Sequence, residues 1–563
     1  MNETVRLTFE GKPLEGRHGE SLAAALVSAG IVGFRETRGG ETRGMFCGMG
    51  VCQDCLLEVD GKPNQRACMT RLEGPITARR EIYGRSLPEV ASGEPPKLID
   101  AVPEERPEIL VVGAGPGGLS AAIAAQRLGA QVTVVDERAA PGGQYFKQMI
   151  VDGETVARPD GQHLEGARLV SAAREAGVEI RCAVDIWGAF SAHELVGAER
   201  GVVRRFNPQR LIVASGAYER GVPLPGWTLP GVMTTGAAQT LWRSYRRLAG
   251  KRILIAGNGP LNLQVASELN AGGAEIAAVV EIAPVSAKAL LPDLVRMFAA
   301  APALAFDGLK YRARLAKVPL IYGSVVSRIE RGARGLVAHV SPLPASGAGE
   351  TSFAVDAVCL GYGFEPANEI LRALGCHHVF DPARGQFTTV LDENGRTSVL
   401  DVFAIGDCTG LGGARMALAQ GAIAGSAAAA DLGHVPDAVP KHVEKARRSL
   451  ERHRRFQAAL WRFYAAPRLS LELATPETIV CRCEEITLAQ IEAALADGRP
   501  SIGDLKRATR VGMGPCQGRY CGPILSQFLA RRQGRALDDD VRFAPRMPVK
   551  PVAIADIARR HMP

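Results

Sequence analysis

The sequence has no run of roughly 18 apolar residues, the length that a membrane span needs. Its first residues, MNETVRLTFEGK, lack the apolar core of a signal peptide. Both absences predict a chain that stays in the cytoplasm. The ten histidines show neither metal nor triad spacing, and adjacent His377 and His378 are expected to point apart. No Cys-x-x-Cys lies in the middle of the chain, which excludes a thiol–disulfide shuttle there. No basic stripe interleaved with aromatics suggests nucleic-acid readout, and no residue stands out as a base for deprotonating a substrate. Charge of neither sign dominates, since a net +8 is spread over 563 residues. The one basic stretch, residues 441–468, reads as a solvated helix face rather than a surface for an acidic partner or a membrane.

What the chain does have is cysteine in two places. Residues CGMGVCQDC and a later cysteine give Cys47, Cys52, Cys55 and Cys68 at the spacing C-x4-C-x2-C-x12-C, the plant-type pattern for a 2Fe-2S cluster. Zinc prefers paired knuckles, whereas here one loop donates three ligands and Gly48 and Gly50 let its backbone wrap a bulky group. A reducing compartment argues against disulfides. At the other end, Cys481, Cys483, Cys516 and Cys521 form a second set, read as another 2Fe-2S site with zinc or an empty site as alternatives. Cys481 and Cys483 project to one side if the backbone is extended. Pro523 is expected to begin the helix after the glycine-rich loop, and Lys506, Arg507 and Arg510 to stabilise the thiolates. Cys182, Cys359, Cys376 and Cys408 are scattered and read as small buried hydrophobes.

At 46% hydrophobic and 22% charged residues, the composition is that of a globular protein, and the length predicts about three or four domains. Residues 1–85 form the first: Val5, Leu7 and Phe9 alternate as a strand, and Ser21 caps a helix. A linker covers 86–107. Residues 108–434 alternate strands and helices in the α/β pattern. An amphipathic connector follows at 435–474, with Val443, Ala446, Leu450, Phe456, Leu460 and Phe463 at helical spacing. The second cysteine domain spans 475–535, where Thr487 and Gln490 make a capping box. The tail, 536–563, is either mobile or laid along another domain.

The middle contains a repeat. ILVVGAGPGGLSAAIAAQRLGAQVTVVDE from Ile109 and ILIAGNGPLNLQVASELNAGGAEIAAVVE from Ile253 match in strand, glycine turn and helix. In the first copy, Gly113, Gly115 and Gly118 complete G-x-G-x-x-G, and Asp136 ends the next strand, placed for a ribose hydroxyl. In the second, Gly257 and Gly259 remain but Asn262 holds the third glycine position, where its side chain is expected to obstruct helix packing or pyrophosphate approach. Glu281 stands one residue later than Asp136 does, and a one-residue shift turns a side chain to the opposite face of a strand. An acid there favours NAD over NADP, but a retained fold holding another nucleotide or nothing is the more expected outcome.

Further segments resemble the two-dinucleotide flavoproteins. Pro141, Gly142, Gly143 and Gln144 follow the ribose acid, as in the stretch that approaches the flavin. Ser215 and Gly216 resemble the strand leading from the FAD domain into the second module. VFAIGDCTGLGGARMALAQG, with Gly406 and Asp407, resembles the closing motif whose aspartate bonds the ribityl chain. The first module, at 108–229 and 351–434, is therefore expected to hold FAD, and 230–350 is the NAD(P)-binding-like second module.

PGVMTTGAAQT from Pro230, the GDC segment, CRCEEIT and KRATRVGMGPCQGRYC extend the resemblance to nearly the whole chain. It resembles a fused ferredoxin-like plus FAD subunit of the hydrogen cyanide synthase, opine oxidase and dye-linked proline and hydroxyproline dehydrogenase family, related to the alpha subunit of sarcosine oxidase. The resemblance implies an α/β, two-dinucleotide-binding-domain flavoprotein. An N-terminal β-grasp 2Fe-2S ferredoxin domain and a small α-helical C-terminal domain like bacterioferritin-associated ferredoxin flank it. It implies an oxidoreductase complex in which a D-amino-acid-oxidase-like flavoprotein subunit oxidises a C–N bond, with FMN at a subunit interface in some relatives. Electrons would leave through this chain to a quinone, respiratory chain or dye, with the complex attached peripherally to the inner face of the membrane as one alternative. A self-contained NAD(P)H-linked flavin reductase and a cluster-bearing scaffold are the other readings.

Overall fold

The computed structural model describes residues 4–82, 102–150, 159–199, 201–284, 287–343, 349–434, 440–498, 501–538 and 541–554. Most of the expected linker lies outside them. Alternation of buried Val5, Leu7 and Phe9 with outward residues seats the strand Thr4–Phe9 in a seven-stranded sheet. That sheet covers the helix Leu22–Ser28, whose Ala24 N–H donates to Ser21 Oγ at 3.2 Å. The cysteine loop leaves the strand pair Leu56–Val59 and Lys62–Arg66 on the side facing the rest of the molecule.

A parallel five-stranded sheet in the order Glu179–Cys182, Val132–Asp136, Ile109–Val112, Arg210–Val213, Val402–Ala404 forms the first dinucleotide module. Helices Pro116–Arg127 and Ala414–Ala430 pack against each other so closely that a Cβ on Gly421 would meet Gly117 O at 2.2 Å. The second module has the parallel order Val232–Thr234, Ala357–Gly361, Arg252–Gly257, Glu275–Glu281, Leu320–Tyr322, with an antiparallel wing that includes Thr351–Val355. The boundary expected at residue 350 is thus corrected: two strands beyond it belong to the second module. The chain passes between modules through the antiparallel pair Ala217–Glu219 and Phe364–Pro366.

The connector is the helix Lys441–Phe463, burying Val443, Ala446, Leu450, Phe456 and Ala459 and turning its basic face outward. After it, the short pair Ile479–Cys481 and Ile486–Thr487 precedes three helices around Ile491, Leu505, Ile524 and Leu529. Thr487 and Gln490 form the expected capping box. The third of these helices begins at Cys521 rather than at Pro523. The described end of the tail, residues 541–554, lies along the first module: Val549 N–H donates to Trp187 O at 2.8 Å, and Lys550 pairs with Glu137 and with Asp185 at 3.0 Å.

Candidate redox site

The first module brings its expected residues together at the carboxyl ends of its strands, where open parallel sheets bind ligands. A Cβ on Gly118 would stand 1.9 Å from Gly113 O, so only glycine lets the helix start this close to the strand. That helix has no side-chain cap, leaving its first N–H groups for an anion. Asp136 is buried and accepts from Ala114 N–H at 2.7 Å and Arg138 N–H at 2.8 Å. Gly143 abuts Gly115, and beside it Gln144 Oε1 is buried without a partner. Ser215 Oγ donates to Ala367 O at 2.6 Å, and Gly216 beside it has φ +73°. Asp407 accepts from Gly412 and Gly413 N–H at 2.9 and 2.8 Å, fixing the turn that opens the helix Ala414–Ala430; Gly406 anchors it through Gln420. Unfilled helix donors, an orphaned amide oxygen and a glycine cradle fit FAD.

The second module corrects two expectations. A β-bulge between Ile253 and Leu254 skips Ala277, so Gly257 pairs with Glu281 and the extra residue is absorbed. Glu281 therefore occupies the place of Asp136, accepting from Gly259 N–H at 2.9 Å and Ala283 N–H at 2.9 Å. Asn262 does not project into the nucleotide groove either. Its amide donates to Gly361 O at 3.1 Å and accepts from Thr235 Oγ1 at 3.0 Å, tying helix to sheet. What closes the groove is Asn258, whose amide spans Glu281 Oε1 at 2.9 Å and Tyr464 O at 3.0 Å at the end of the connector helix. Nothing in the sequence marked Tyr464.

All twelve cysteines are free thiols. Among the described residues no three His, Cys, Asp or Glu side chains gather as one metal ion requires. The eight thiols converge two by two instead: Cys47 with Cys52, Cys55 with Cys68, Cys481 with Cys521 and Cys483 with Cys516. Two pairs per set match two irons with two thiolates each. Burial raises the Cys47 thiol, but Cys52 and backbone N–H groups outweigh it and hold it down to about 6. The Cys483 thiol likewise brings Cys516 to about 7. Gly48 and Gly50 adopt φ +64° and +80° in the first loop. A Cβ on Gly514 would stand 2.2 Å from Cys483 Cβ in the second. The expected cations do not reach the thiols: Arg507 bonds Asp504, Arg510 bonds Glu484, and Lys506 lies over Phe543. Arg519, donating to Cys516 O, takes that place.

The two sets meet. Cys483 Sγ lies 4.0 Å from Cys52 O, and the ring of Phe46 packs on that of Tyr520 with centroids 5.4 Å apart. Between them, buried Arg482 donates to Asp54 Oδ2 at 2.7 Å, and Arg35 donates to Asp54 Oδ1 at 3.0 Å. A charge flanked by cysteines in a buried loop needs a partner; CRC and CQDC show the two charges but not their pairing.

Every residue of the helix Thr235–Tyr245 is buried, because it is the junction of all these parts. Its Ala237 touches Gly48 of the first cysteine loop. Its Gln239 accepts from Lys147 Nζ at 2.5 Å, four residues beyond Gly143. Its Gly236 N–H donates to Glu219 at 2.8 Å. Burial lowers Lys147 to about 7 and raises Glu219 to about 7. Neither stands out in the sequence. One helix within PGVMTTGAAQT thus meets the ferredoxin-like domain, the segment after Gly143 and the second module at once.

Paired thiols, a dinucleotide cradle and a shared junction define an iron–sulfur flavoprotein oxidoreductase. The pyridine nucleotide-disulphide oxidoreductase family matches residues 107–426, a 2Fe-2S iron-sulfur cluster binding domain matches 2–81, and the sarcosine oxidase A3 domain matches 475–560. The chain belongs to the pyridine nucleotide-disulphide oxidoreductases, in the family that includes an opine oxidase subunit and the hydrogen cyanide synthase subunit HcnB. It is 33% identical to that opine oxidase subunit of Agrobacterium tumefaciens, over 81% of this chain and 92% of that one. With the subunit HcnB of Pseudomonas aeruginosa it shares 32%, over 79% and 96%. The alpha subunit of sarcosine oxidase from a Corynebacterium is 25% identical over 99% of this chain, which spans 56% of that longer subunit. The L-proline dehydrogenase of P. horikoshii shares the fold, with a TM-score of 0.72 at 19% identity over 99% of this chain and 98% of that one. The cofactors are FAD and 2Fe-2S. No helix among the described residues is long and apolar enough to cross a membrane.

Proposed function

We propose that this chain is the FAD and iron–sulfur electron-transfer subunit of a multi-subunit amine or amino-acid dehydrogenase. A partner flavoprotein subunit oxidises the C–N bond of an amino acid, opine, proline or glycine, and a downstream acceptor such as a quinone takes the electrons. The carrying observation is the junction helix Thr235–Tyr245, which touches the first cysteine loop through Ala237 and the flavin segment through Gln239. FAD takes electrons in pairs, and 2Fe-2S clusters carry them singly. The Gly113 to Gly118 loop and the uncapped helix after it hold the pyrophosphate, Asp136 the ribose, Asp407 and its turn the ribityl end. Cys47, Cys52, Cys55 and Cys68 hold one cluster, and Cys481, Cys483, Cys516 and Cys521 a second. Lys147 and Glu219 are enclosed beneath the junction helix, so the base that substrate oxidation needs is assigned to the partner chain.

The restored position of Glu281 favours a second reading, an NADH-linked reductase. Against it, the groove's polar groups are spent on Asn258, Glu281 and the Tyr464 carbonyl. Anaerobic titration of the isolated chain with NADH separates the two. Flavin and cluster absorbance should stay oxidised, then bleach when the partner flavoprotein is added with an opine or N-alkyl amino acid. Rapid stoichiometric bleaching by NADH alone would establish the reductase instead.

A further inference from the structure

The seam between the cysteine sets is more than a packing surface. Asp54 precedes Cys55, and Arg482 stands between Cys481 and Cys483. One ion pair at 2.7 Å therefore links the two ligand loops directly. The guanidinium is sandwiched between the Phe46 ring at 3.8 Å and the Trp227 ring at 4.6 Å, and it donates to Trp227 O at 2.7 Å. Phe46 precedes Cys47, and the Tyr520 ring it meets precedes Cys521. Outside this core, Glu485 accepts from Gly39 N–H at 2.9 Å and pairs with Arg43 at 3.3 Å. Ion pairs this deeply buried are poor stabilisers, and apolar residues of similar volume often serve as well. Charges set directly beside ligand cysteines of both loops point to control of distance and potential.

We propose that the Arg482–Asp54 pair holds the two cysteine loops in electron-transfer contact, so that the clusters exchange electrons directly and act as one two-electron store. This rests on the reading that both sets hold 2Fe-2S clusters. With FAD and both clusters bound, the two electrons of reduced FAD would divide one per cluster. FAD would be oxidised and release its protons, and no covalent bond would form or break in the seam. The sequence of carriers becomes flavin, paired clusters, acceptor, rather than two separate exits.

The test is EPR of the dithionite-reduced full-length chain, beside iron and sulfide analysis. We expect about four irons per chain and a spectrum with dipolar splitting and fast relaxation. C516A should simplify it to the single signal of the N-terminal cluster. R482Q should keep the iron but weaken the splitting several-fold, and R482K should restore part of it. Should R482Q not fold with Asp54 left bare, D54N/R482M removes both charges and is read in the same way. Two loaded clusters with simply additive spectra would overturn the proposal, as would unchanged splitting in R482Q or the double variant. About two irons per chain would overturn the second cluster itself, a failure that the metal count keeps distinct.

Discussion

The two dinucleotide modules use the same strand, turn and helix to opposite ends. Both helices start without a side-chain cap, but in the first module Gly118 brings the helix onto Gly113 O and Gln144 Oε1 has no partner. In the second, Asn262 fills the corresponding corner and spends both ends of its amide on Gly361 and Thr235. Asn258 then closes the loop against Glu281 and the connector. Buried polar groups strongly prefer to be satisfied. A module that leaves them open is built for a ligand, and one that satisfies them internally is built as a wall. The fold alone does not distinguish these uses; the hydrogen-bond inventory does.

The largest expected effect comes from closing the open module. In G118V the new Cβ would meet a backbone oxygen at 1.9 Å, which no side-chain motion relieves. We expect a destabilisation of about 3 kcal/mol or more and loss of FAD, seen as loss of flavin absorbance after gel filtration. Retention of full flavin would break the assignment. D407A should come next. It strips the acceptor from two N–H groups, at a cost of about 1–3 kcal/mol, and should weaken FAD binding about tenfold or more in a fluorescence titration.

The same two modules mark how far sequence reaches. Gly113, Asp136 and Asp407 were legible because local geometry dictates them: glycines at a tight turn, an acid at a strand end. The cysteine spacings were legible for the same reason. Glu281 was misjudged because a bulge at Ala277 leaves no mark in a run of small apolar residues. The seam was hidden because Arg482 and Asp54 lie 428 positions apart. Lys506, Arg507 and Arg510 looked close to the thiols by position alone. Arg510, at φ +69°, instead reaches Glu484 beyond the end of its helix. Contacts made between domains are set by packing that no local pattern encodes.

N262A, in the closed module, should have a smaller and different effect. It leaves Thr235 Oγ1 without its partner and Gly361 O with the Asn258 N–H alone in a buried corner, costing about 1–2 kcal/mol. The expected result is a lower Tm with flavin content unchanged. Loss of flavin along with stability would mean that the modules are not independent in the way the comparison requires.

The smallest effect concerns the two acids. Burial raises both above their ordinary carboxyl values, and backbone N–H groups only partly offset it: those of Arg138 and Ala114 at Asp136, those of Ala283 and Gly259 at Glu281. A carboxyl raised in the folded state contributes stability that is full below its unfolded value of 3.8 or 4.5. That contribution is lost as pH rises through the folded value. In the FAD-free chain, D136N and E281Q should therefore each flatten the fall of Tm with rising pH, by on the order of 1 °C. FAD should separate them, because a ribose hydroxyl donating to Asp136, as proposed, would favour its charged form. With FAD bound, D136N should lose its flattening effect while E281Q keeps it. If FAD erased the E281Q effect as well, Glu281 would face a second bound nucleotide, and the closed module would have to be reopened.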